Sequence, residues 1–297
     1  MFRIVQNRRV FLAISAILIV ASIAAVAFFG FREGVDFKGG TMWQFRTGDG
    51  DINKAQEVLT AEFKGTEVKL SYASDGSVLA RFPEIGEADH QRALAALQAR
   101  FPAFEELSFQ SIGPSVGAAL RNRSLLAIVL VLIGISLYIA FAFRKVYQPI
   151  SSWKYGFVTL FSLFHDVAIP AGLLSVLGRY EGVEVDSNFV VALLVVMGFS
   201  VHDTIVVFDR IRENLLKDRG REDFSDVVNT SINQTLARSI NTSLTLILVL
   251  LALYFAGPAS LEFFILTLLV GVTTGVYSSI FVASPLLVVW QRLSLKK

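Results

Sequence analysis

The stretch from Val196 to Asn214 holds the residues with the clearest potential for chemistry in this sequence. It reads VMGFSVHDTIVVFDRIREN, so one aspartate, Asp203, lies inside an otherwise apolar run. A carboxylate in hydrocarbon costs at least about 2.5 kcal/mol, and ionisable groups kept there usually belong to ion pathways or proton relays. Ser200, Asp203 and Thr204 are spaced i, i+3, i+4, so they share one helix face. We predict an ionisable site on this face; the alternative is that Asp203 merely bonds a neighbouring helix.

A second polar stripe lies in the next apolar run, where polar residues recur at i, i+3, i+4 and i+7. Its members are Arg238, Asn241, Thr242 and Thr245. Arg238 stands at the charged end of its run, as Asp203 does, so we expect the two side chains to meet. Burial favours the neutral acid, whereas a nearby guanidinium favours the carboxylate. A carboxyl group under both influences can gain and lose a proton, as a relay requires.

One further aspartate and three histidines complete the candidate set. Asp166 follows His165 in another apolar run, and this pair fits either an accessory relay role or interhelical hydrogen bonding. For His202 we favour hydrogen bonding. No two of the histidines, which include His90, have metal-ligand spacing, so we expect no metal site. The sequence has no cysteine and no GxxxxGK[ST] run, and we therefore predict no disulfide, no cofactor and no nucleic-acid partner.

The composition indicates that these residues are positioned by membrane helices. Of the 297 residues, 54% are hydrophobic, and the mean hydropathy of +0.58 is too high for one soluble domain. Pro170 and Pro285 predict kinks in the third and the last of the apolar runs. The predicted spans are six: 10–29, 124–143, 157–177, 189–208, 240–257 and 263–290.

Residues 31–123 differ from the rest in being charged and patterned like a soluble domain. Successive segments have the periodicity of strand, helix, strand, strand, helix and strand: 41–47, 52–63, 68–72, 78–82, 88–101 and 107–112. The turn Ser74-Asp75-Gly76 joins the second and third strands. This βαββαβ order is typical of an α+β ferredoxin-like domain. We therefore divide the chain into 1–30, the N-terminus and first helix; 31–123, the ferredoxin-like domain; and 124–297, the other five helices and the C-terminus.

Basic residues flank the predicted spans almost entirely on one side. They are Arg3, Arg8, Arg9, Arg144, Lys145, Lys154, Arg210, Arg212, Lys217, Arg219, Arg221, Arg292, Lys296 and Lys297. The short loops on the other side contain little beyond Arg179. Because basic loops remain in the cytoplasm, we expect both termini to be cytoplasmic and the 31–123 domain to be extracytoplasmic.

The last apolar run carries small residues at every fourth position. They are Thr267, Gly271, Gly275, Ser279 and Ala283. Such a stripe lets helix backbones approach closely, which predicts packing within the chain or against a partner.

Four segments resemble the SecF family, the smaller membrane subunits of the Sec protein-export accessory complex in the resistance-nodulation-division superfamily. They are 34–40 (GVDFKGG), 112–117 (IGPSVG), 165–166 (HD) and 198–214. The resemblance implies a multi-pass protein of the bacterial cytoplasmic (inner) membrane that uses the proton motive force to promote protein export. Its implied partners are a separate SecD subunit, the SecYEG channel, the translocating unfolded polypeptide and membrane lipid.

The resemblance also implies roles for individual residues. The proton-pathway aspartate of the family falls on Asp203, and its arginine falls on Arg238. Many relatives have Asn where His202 stands. The third key carboxylate belongs to SecD, so this chain is not expected to conduct protons alone. Ser200, Thr204, Asn241 and Thr242, with the 165–166 pair, are candidate accessory residues.

Three other functions are compatible with parts of the sequence. A small-molecule exporter of the same superfamily usually has both halves in one chain. A passive translocon scaffold would use the polar stripes only to hold helices together. An intramembrane protease using Asp166 and Asp203 would need a GxGD motif that this chain lacks, and Ser200 and His202 point to divergent helix faces, so we predict that the chain is not an enzyme. The sequence leaves open whether the coupling ion is H⁺ or Na⁺.

Overall fold

The structure is a computed structural model that describes residues 1–48, 51–73, 75–143, 151–218 and 221–295. Ser74 of the predicted turn lies outside these ranges. So do five basic residues used for the orientation: Arg144, Lys145, Arg219, Lys296 and Lys297. The chain forms two compact units: unit 1, with Met1–Arg32, Leu126–Val183 and Asn188–Lys297, and unit 2, with Glu33–Leu125 and Glu184–Ser187.

The elements of the described residues follow one another along the chain. They are α1 (Arg8–Phe29), α2 (Val35–Lys38), β1 (Gly40–Arg46), α3 (Ile52–Glu62), β2 (Lys69–Tyr72), β3 (Val78–Phe82), α4 (Glu87–Arg100), β4 (Glu105–Ile112), α5 (Pro114–Ala142), α6 (Ser152–Tyr180), α7 (Ser187–Asp218), α8 (Phe224–Ala256), a 3₁₀ turn (Ala259–Leu261), α9 (Glu262–Ser278), a π-helical segment (Ser279–Ala283) and α10 (Ser284–Leu295).

Six helical segments in the described part of the chain are long and apolar enough to span a membrane, which confirms the predicted number. The helices are longer than the apolar runs, because hydropathy detects only the part of a helix that suits lipid. Thus α8 begins at Phe224, whereas its apolar run begins at Ile240. Pro170 lies inside α6, which remains one helix. The last span contains the π-helical segment immediately before Ser284 and Pro285.

Helix α7 is a central element of unit 1. Half of its most apolar stretch is buried, compared with 6% for α5. The small-residue stripe of α9 packs against α7 within the chain, where Gly271 faces Val196 and Gly275 faces Ser200. Since these glycines have no side chains, the two helices come together at the level of the residues predicted to form the site.

Unit 2 contains a four-stranded antiparallel sheet in the order β2-β3-β1-β4. Trp43 of β1 pairs with Ala80 of β3 and with Phe109 of β4. Trp43 packs with Leu59 of α3 and Leu97 of α4 in one buried apolar cluster. The sheet and its two longer helices therefore share a core of their own.

At the start of α3, Asp51 caps the helix. Its carboxylate accepts hydrogen bonds from the backbone N–H groups of Asn53 and Lys54 at 3.0 and 3.3 Å. The side-chain hydrogen bond from Lys54, followed by its backbone N–H, holds the pKa of Asp51 below its usual value. The cap directly precedes residue 52, where the helical spacing of apolar residues begins in the sequence.

Candidate functional site

Helix α7 directs its predicted polar face into the interior of unit 1. Ser200, Asp203 and Thr204 are all buried, with Asp203 only 5% exposed. Their neighbours on the same helix, Val201 and Val207, belong to the apolar core. The i, i+3, i+4 spacing thus places three polar side chains on one buried face, as the sequence predicts.

Asp203 is held by α8. Its Oδ1 accepts a hydrogen bond from Ser239 Oγ at 2.6 Å. Its Oδ2 is buried and has no hydrogen-bond partner in the described residues. Ser279 is near enough to interact with the carboxylate, but its hydroxyl lies 2.9 Å from both the Gly275 carbonyl and Thr204 Oγ1. One carboxylate oxygen therefore remains open to a proton or a small cation inside the apolar helices.

The expected contact between Asp203 and Arg238 is not formed in the described part of the chain. Arg238 precedes Ser239 and is exposed on the surface of α8, because adjacent residues on a helix point about 100° apart. Its charge reaches Asp203 through space, as does that of the exposed His202 when protonated. The arginine is therefore a neighbour of the carboxylate and not its hydrogen-bonding partner.

The two faces of α8 explain this difference. The predicted stripe, which consists of Arg238, Asn241, Thr242 and Thr245, is exposed on this chain. The stripe that faces the interior consists of Ser231, Thr235, Ser239 and Ser243. Sequence reasoning missed this second set, although its strict four-residue spacing was a detectable signal.

A second buried carboxylate lies on α6. Asp166 and His165 are both fully buried, and His165 Nδ1 lies 2.8 Å from Asp166 Oδ1. Asp166 Oδ2 accepts hydrogen bonds from Ser200 and, at 2.7 Å, from Ser278 Oγ. Ser162 extends the network by donating to Ser278 Oγ at 2.9 Å. Ser200 thus binds Asp166, although its spacing associated it with Asp203.

Consecutive serines of the last span approach the two carboxylates. Ser278 ends α9 and donates to Asp166, whereas Ser279 begins the π-helical segment, pairs with Thr204 and lies near Asp203. π-Helical turns occur often at functional sites because they change which side chains point inward. The four-residue spacing of small residues assigns Ser279 to a packing stripe, and Ser278 lies outside that pattern. In the described residues, no three His, Asp or Glu side chains form a cluster able to hold a metal ion.

This arrangement can bind and release protons without a cofactor. It offers two buried carboxyl groups, surrounded by hydroxyl groups that can donate or accept, in helices suited to a membrane. Proton binding and release at such groups changes the charge inside an apolar environment, which strongly favours one helix arrangement over another.

Known proteins resemble this chain over nearly its full length. The family described as "Protein export membrane protein SecD/SecF, C-terminal" matches residues 93–293. "Protein translocase subunit SecF" of Thermobaculum terrenum is 46% identical and covers 98% of this chain and 95% of its own length. The SecF subunit of Anaerolinea thermophila is 36% identical, with 98% and 94% covered.

The crystal structure of SecDF, a translocon-associated membrane protein from Thermus thermophilus, superimposes with a TM-score of 0.82 at 32% identity. It matches 98% of this chain, which spans only 39% of that longer SecDF chain.

Proposed function

The chain belongs to the SecF family of protein translocase subunits, and from this premise we propose that it uses the proton motive force, together with a SecD subunit, to promote protein export. Membership in the family makes it a membrane subunit of the protein-export machinery. The energy source, the residues that carry protons and the individual partners are the parts that we propose.

The observation that carries the proposal is the environment of Asp203. The carboxyl group is buried, one oxygen accepts from Ser239, and the other has no partner in the described residues. A buried carboxylate with an unsatisfied oxygen is costly, so binding a proton there lowers the free energy. We assign Asp203 as the proton-binding residue. Arg238 is the charge that favours proton release, and Asp166 with His165 is an accessory pair.

The exposed stripe of α8 supports a SecD partner. Arg238, Asn241 and Thr242 would face lipid if this chain stood alone in a membrane, and polar side chains at that depth usually face protein or water. A second helical subunit that covers this face would bring its own polar groups next to Asp203. The Thermus relative, named SecDF, is 36% identical, and this chain spans 37% of it, which leaves length for a second half.

We propose the bacterial inner membrane as the location, with both termini cytoplasmic and unit 2 on the outer side. The antiparallel order β2-β3-β1-β4 supports a ferredoxin-like domain. In this arrangement the SecYEG channel and the emerging unfolded polypeptide are the partners. Each charge that crosses the membrane releases roughly 2.3 kcal/mol per 100 mV, which can move such a domain without nucleotide hydrolysis.

The test is Asp203→Asn, which preserves shape and hydrogen bonding but removes titration. The matched control is Asp209→Asn, the same change in the same helix at a side chain that is 56% exposed. Both variants are assembled with SecD in membrane vesicles, and protein export, proton flux and complex abundance are measured. We expect Asp203→Asn to lose export and flux at normal abundance, and Asp209→Asn to retain both.

Normal export and flux in Asp203→Asn would favour the passive scaffold, since Asn satisfies the hydrogen bond from Ser239. If export followed a sodium gradient and not a proton gradient, Asp203 would still be the ion-binding residue, but the coupling ion would be Na⁺. Transport of a small molecule without protein export would favour the exporter.

A further inference from the structure

The GVDFKGG segment in unit 2 touches the beginnings of two of the long helices. Asp36 is 7% exposed, although it is an aspartate. Its Oδ1 accepts a hydrogen bond from Gln110 Nε2 of β4 at 2.8 Å, and its Oδ2 accepts one from the backbone N–H of Ser187 at 2.9 Å. Ser187 is the first residue of α7. One carboxylate therefore connects the sheet to the start of the helix that carries Asp203.

The contact with Ser187 is of a strong type. The first N–H groups of a helix have no partner inside the helix. A carboxylate that accepts from them makes a charge-assisted hydrogen bond and also interacts favourably with the positive end of the helix dipole. Asp36 thus binds one of the first N–H groups of α7, although it lies 151 residues away in the sequence.

The segment just before α7 is tied to unit 2 by two further contacts. The backbone N–H of Gly34 donates to the Val185 carbonyl at 2.9 Å, next to a parallel bridge between Glu33 and Val185. Arg81 of β3 forms an ion pair with Glu184 at 3.1 Å, in which the two side chains are 25% and 15% exposed. The segment Glu184–Ser187, which ends with the first residue of α7, therefore belongs to unit 2.

The start of α5 packs on the same segment. Gly39 has φ of +79°, and a Cβ there would lie 2.7 Å from Pro114 Cα. A Cβ on Gly117 would lie 2.9 Å from the Gly39 nitrogen. These distances leave no room for side chains, so residues 34–40, 112–117 and 184–187 form one close-packed junction. Two of the family-like motifs, which the proton site does not use, are explained by this packing.

We propose that Asp36 is a positioning residue that couples α7 to the sheet of unit 2, so that movement of α7 on protonation of Asp203 is transmitted to that sheet. The inference rests on the proposed function. Asp203 follows Ser187 by 16 residues of continuous helix, a distance of ~24 Å, and a continuous helix transmits displacement along its axis. The junction acts as a rigid joint because its backbone contacts are close and its carboxylate is buried.

The test measures coupling and not only activity. In SecD-containing vesicles, Asp36→Ala removes the acceptor for Ser187, and we expect export to fall about tenfold, the effect of losing one charge-assisted hydrogen bond. Proton flux should remain within about twofold of the unmodified protein, because Asp203 and its neighbours are untouched. Asp36→Asn can still accept from Ser187 and should restore most of the export. Glu57→Ala, which removes an exposed carboxylate from the same unit, is the control and should change neither quantity.

A disulfide tests the rigidity of the joint in this cysteine-free chain. Glu33→Cys with Val185→Cys places two thiols across the parallel bridge, within the range that a disulfide spans. We expect oxidation to leave export unchanged relative to each single-cysteine variant. Export that stops on oxidation and returns on reduction would overturn the inference, because the junction would then have to open in each cycle.

The variants separate failure of this inference from failure of the proton mechanism. Normal export in Asp36→Ala, or a parallel fall of export and flux at normal abundance, overturns the coupling role. If Asp36→Ala fails to accumulate, the inference is tested in Asp36→Asn by amide hydrogen exchange at the first turn of α7. Exchange as slow as in the unmodified protein supports the rigid joint, and faster exchange contradicts it. Unchanged flux in Asp203→Asn, in contrast, overturns the proton mechanism whatever the Asp36 variants show.

Discussion

Replacing Gly271 by alanine adds one methyl group where α9 meets α7. The added Cβ would lie 2.2 Å from Val196 Cγ2 and 2.8 Å from its Cγ1, whereas non-bonded carbon atoms prefer about 3.5–4.0 Å. Val196 is fully buried, and a valine in a helix has one strongly preferred rotamer, so it cannot turn away. The two helices must separate or strain at this point.

The change in stability caused by Gly271→Ala is the balance of two opposing effects. Overpacking a close-packed site costs about 1–3 kcal/mol, while alanine gains up to about 1 kcal/mol over glycine in helix propensity. We expect Gly271→Ala to lose ~1–2 kcal/mol of stability. Each kcal/mol lost lowers the Tm by ~2–4 °C. At Gly275 the added Cβ would lie 3.2 Å from Ser200 Cβ. That contact requires only a small shift, so Gly275→Ala should be nearly neutral and serves as the matched control.

The assay is thermal unfolding of the purified chain in detergent, with Val196→Ala as a second-site change. Val196→Ala removes both γ-carbons that the new methyl group would strike. The double variant with Gly271→Ala should therefore be more stable than the sum of the single effects predicts, by ~1–2 kcal/mol. Equal Tm values for Gly271→Ala and Gly275→Ala, or strict additivity with Val196→Ala, would refute the packing of α9 on α7 described above.

Two further predictions follow from the site and the proposed orientation. Ser239→Ala removes the donor to Asp203 Oδ1 and should lower proton flux in vesicles about tenfold. Ser243→Ala removes only a hydrogen bond to the Ser239 carbonyl and should leave the flux nearly unchanged. Equal effects of the two changes on flux would argue against the role of Ser239. In intact cells, a membrane-impermeant maleimide should label Glu67→Cys and not Lys217→Cys, both of which replace side chains that are well exposed. The reverse labelling pattern would contradict the orientation.

The candidate site was predictable from sequence only in part. The helical spacing of Ser200, Asp203 and Thr204 placed them correctly on one buried face, because the angle between residues of a helix is fixed. The partner of Asp203 was not predictable in the same way. Arg238 and Ser239 are adjacent and point about 100° apart, so the rotation of α8 about its own axis decides which of them faces α7. Charge attraction alone favoured Arg238, whereas Ser239 makes the hydrogen bond.

The hydrogen-bonding partners of Asp166 were also beyond the sequence. Its partners Ser200 and Ser278 lie 34 and 112 residues away. Serine is common in membrane helices, and its hydroxyl often bonds the carbonyl of its own preceding turn, so a serine gives no sign of a distant partner.

The sequence by itself determined the number of spans, the polar face of α7 and the small-residue stripe of α9. These features are local: a bilayer requires about 20 apolar residues per helix, and the period of the helix assigns each residue to a face. Only the tertiary structure decided that the stripe packs on α7 at Val196 and that Asp36 accepts a hydrogen bond from Ser187 at the start of α7. Such pairings depend on how helices rotate and approach one another. That is a property of long-range packing, and the spacing of residues along one helix does not encode it.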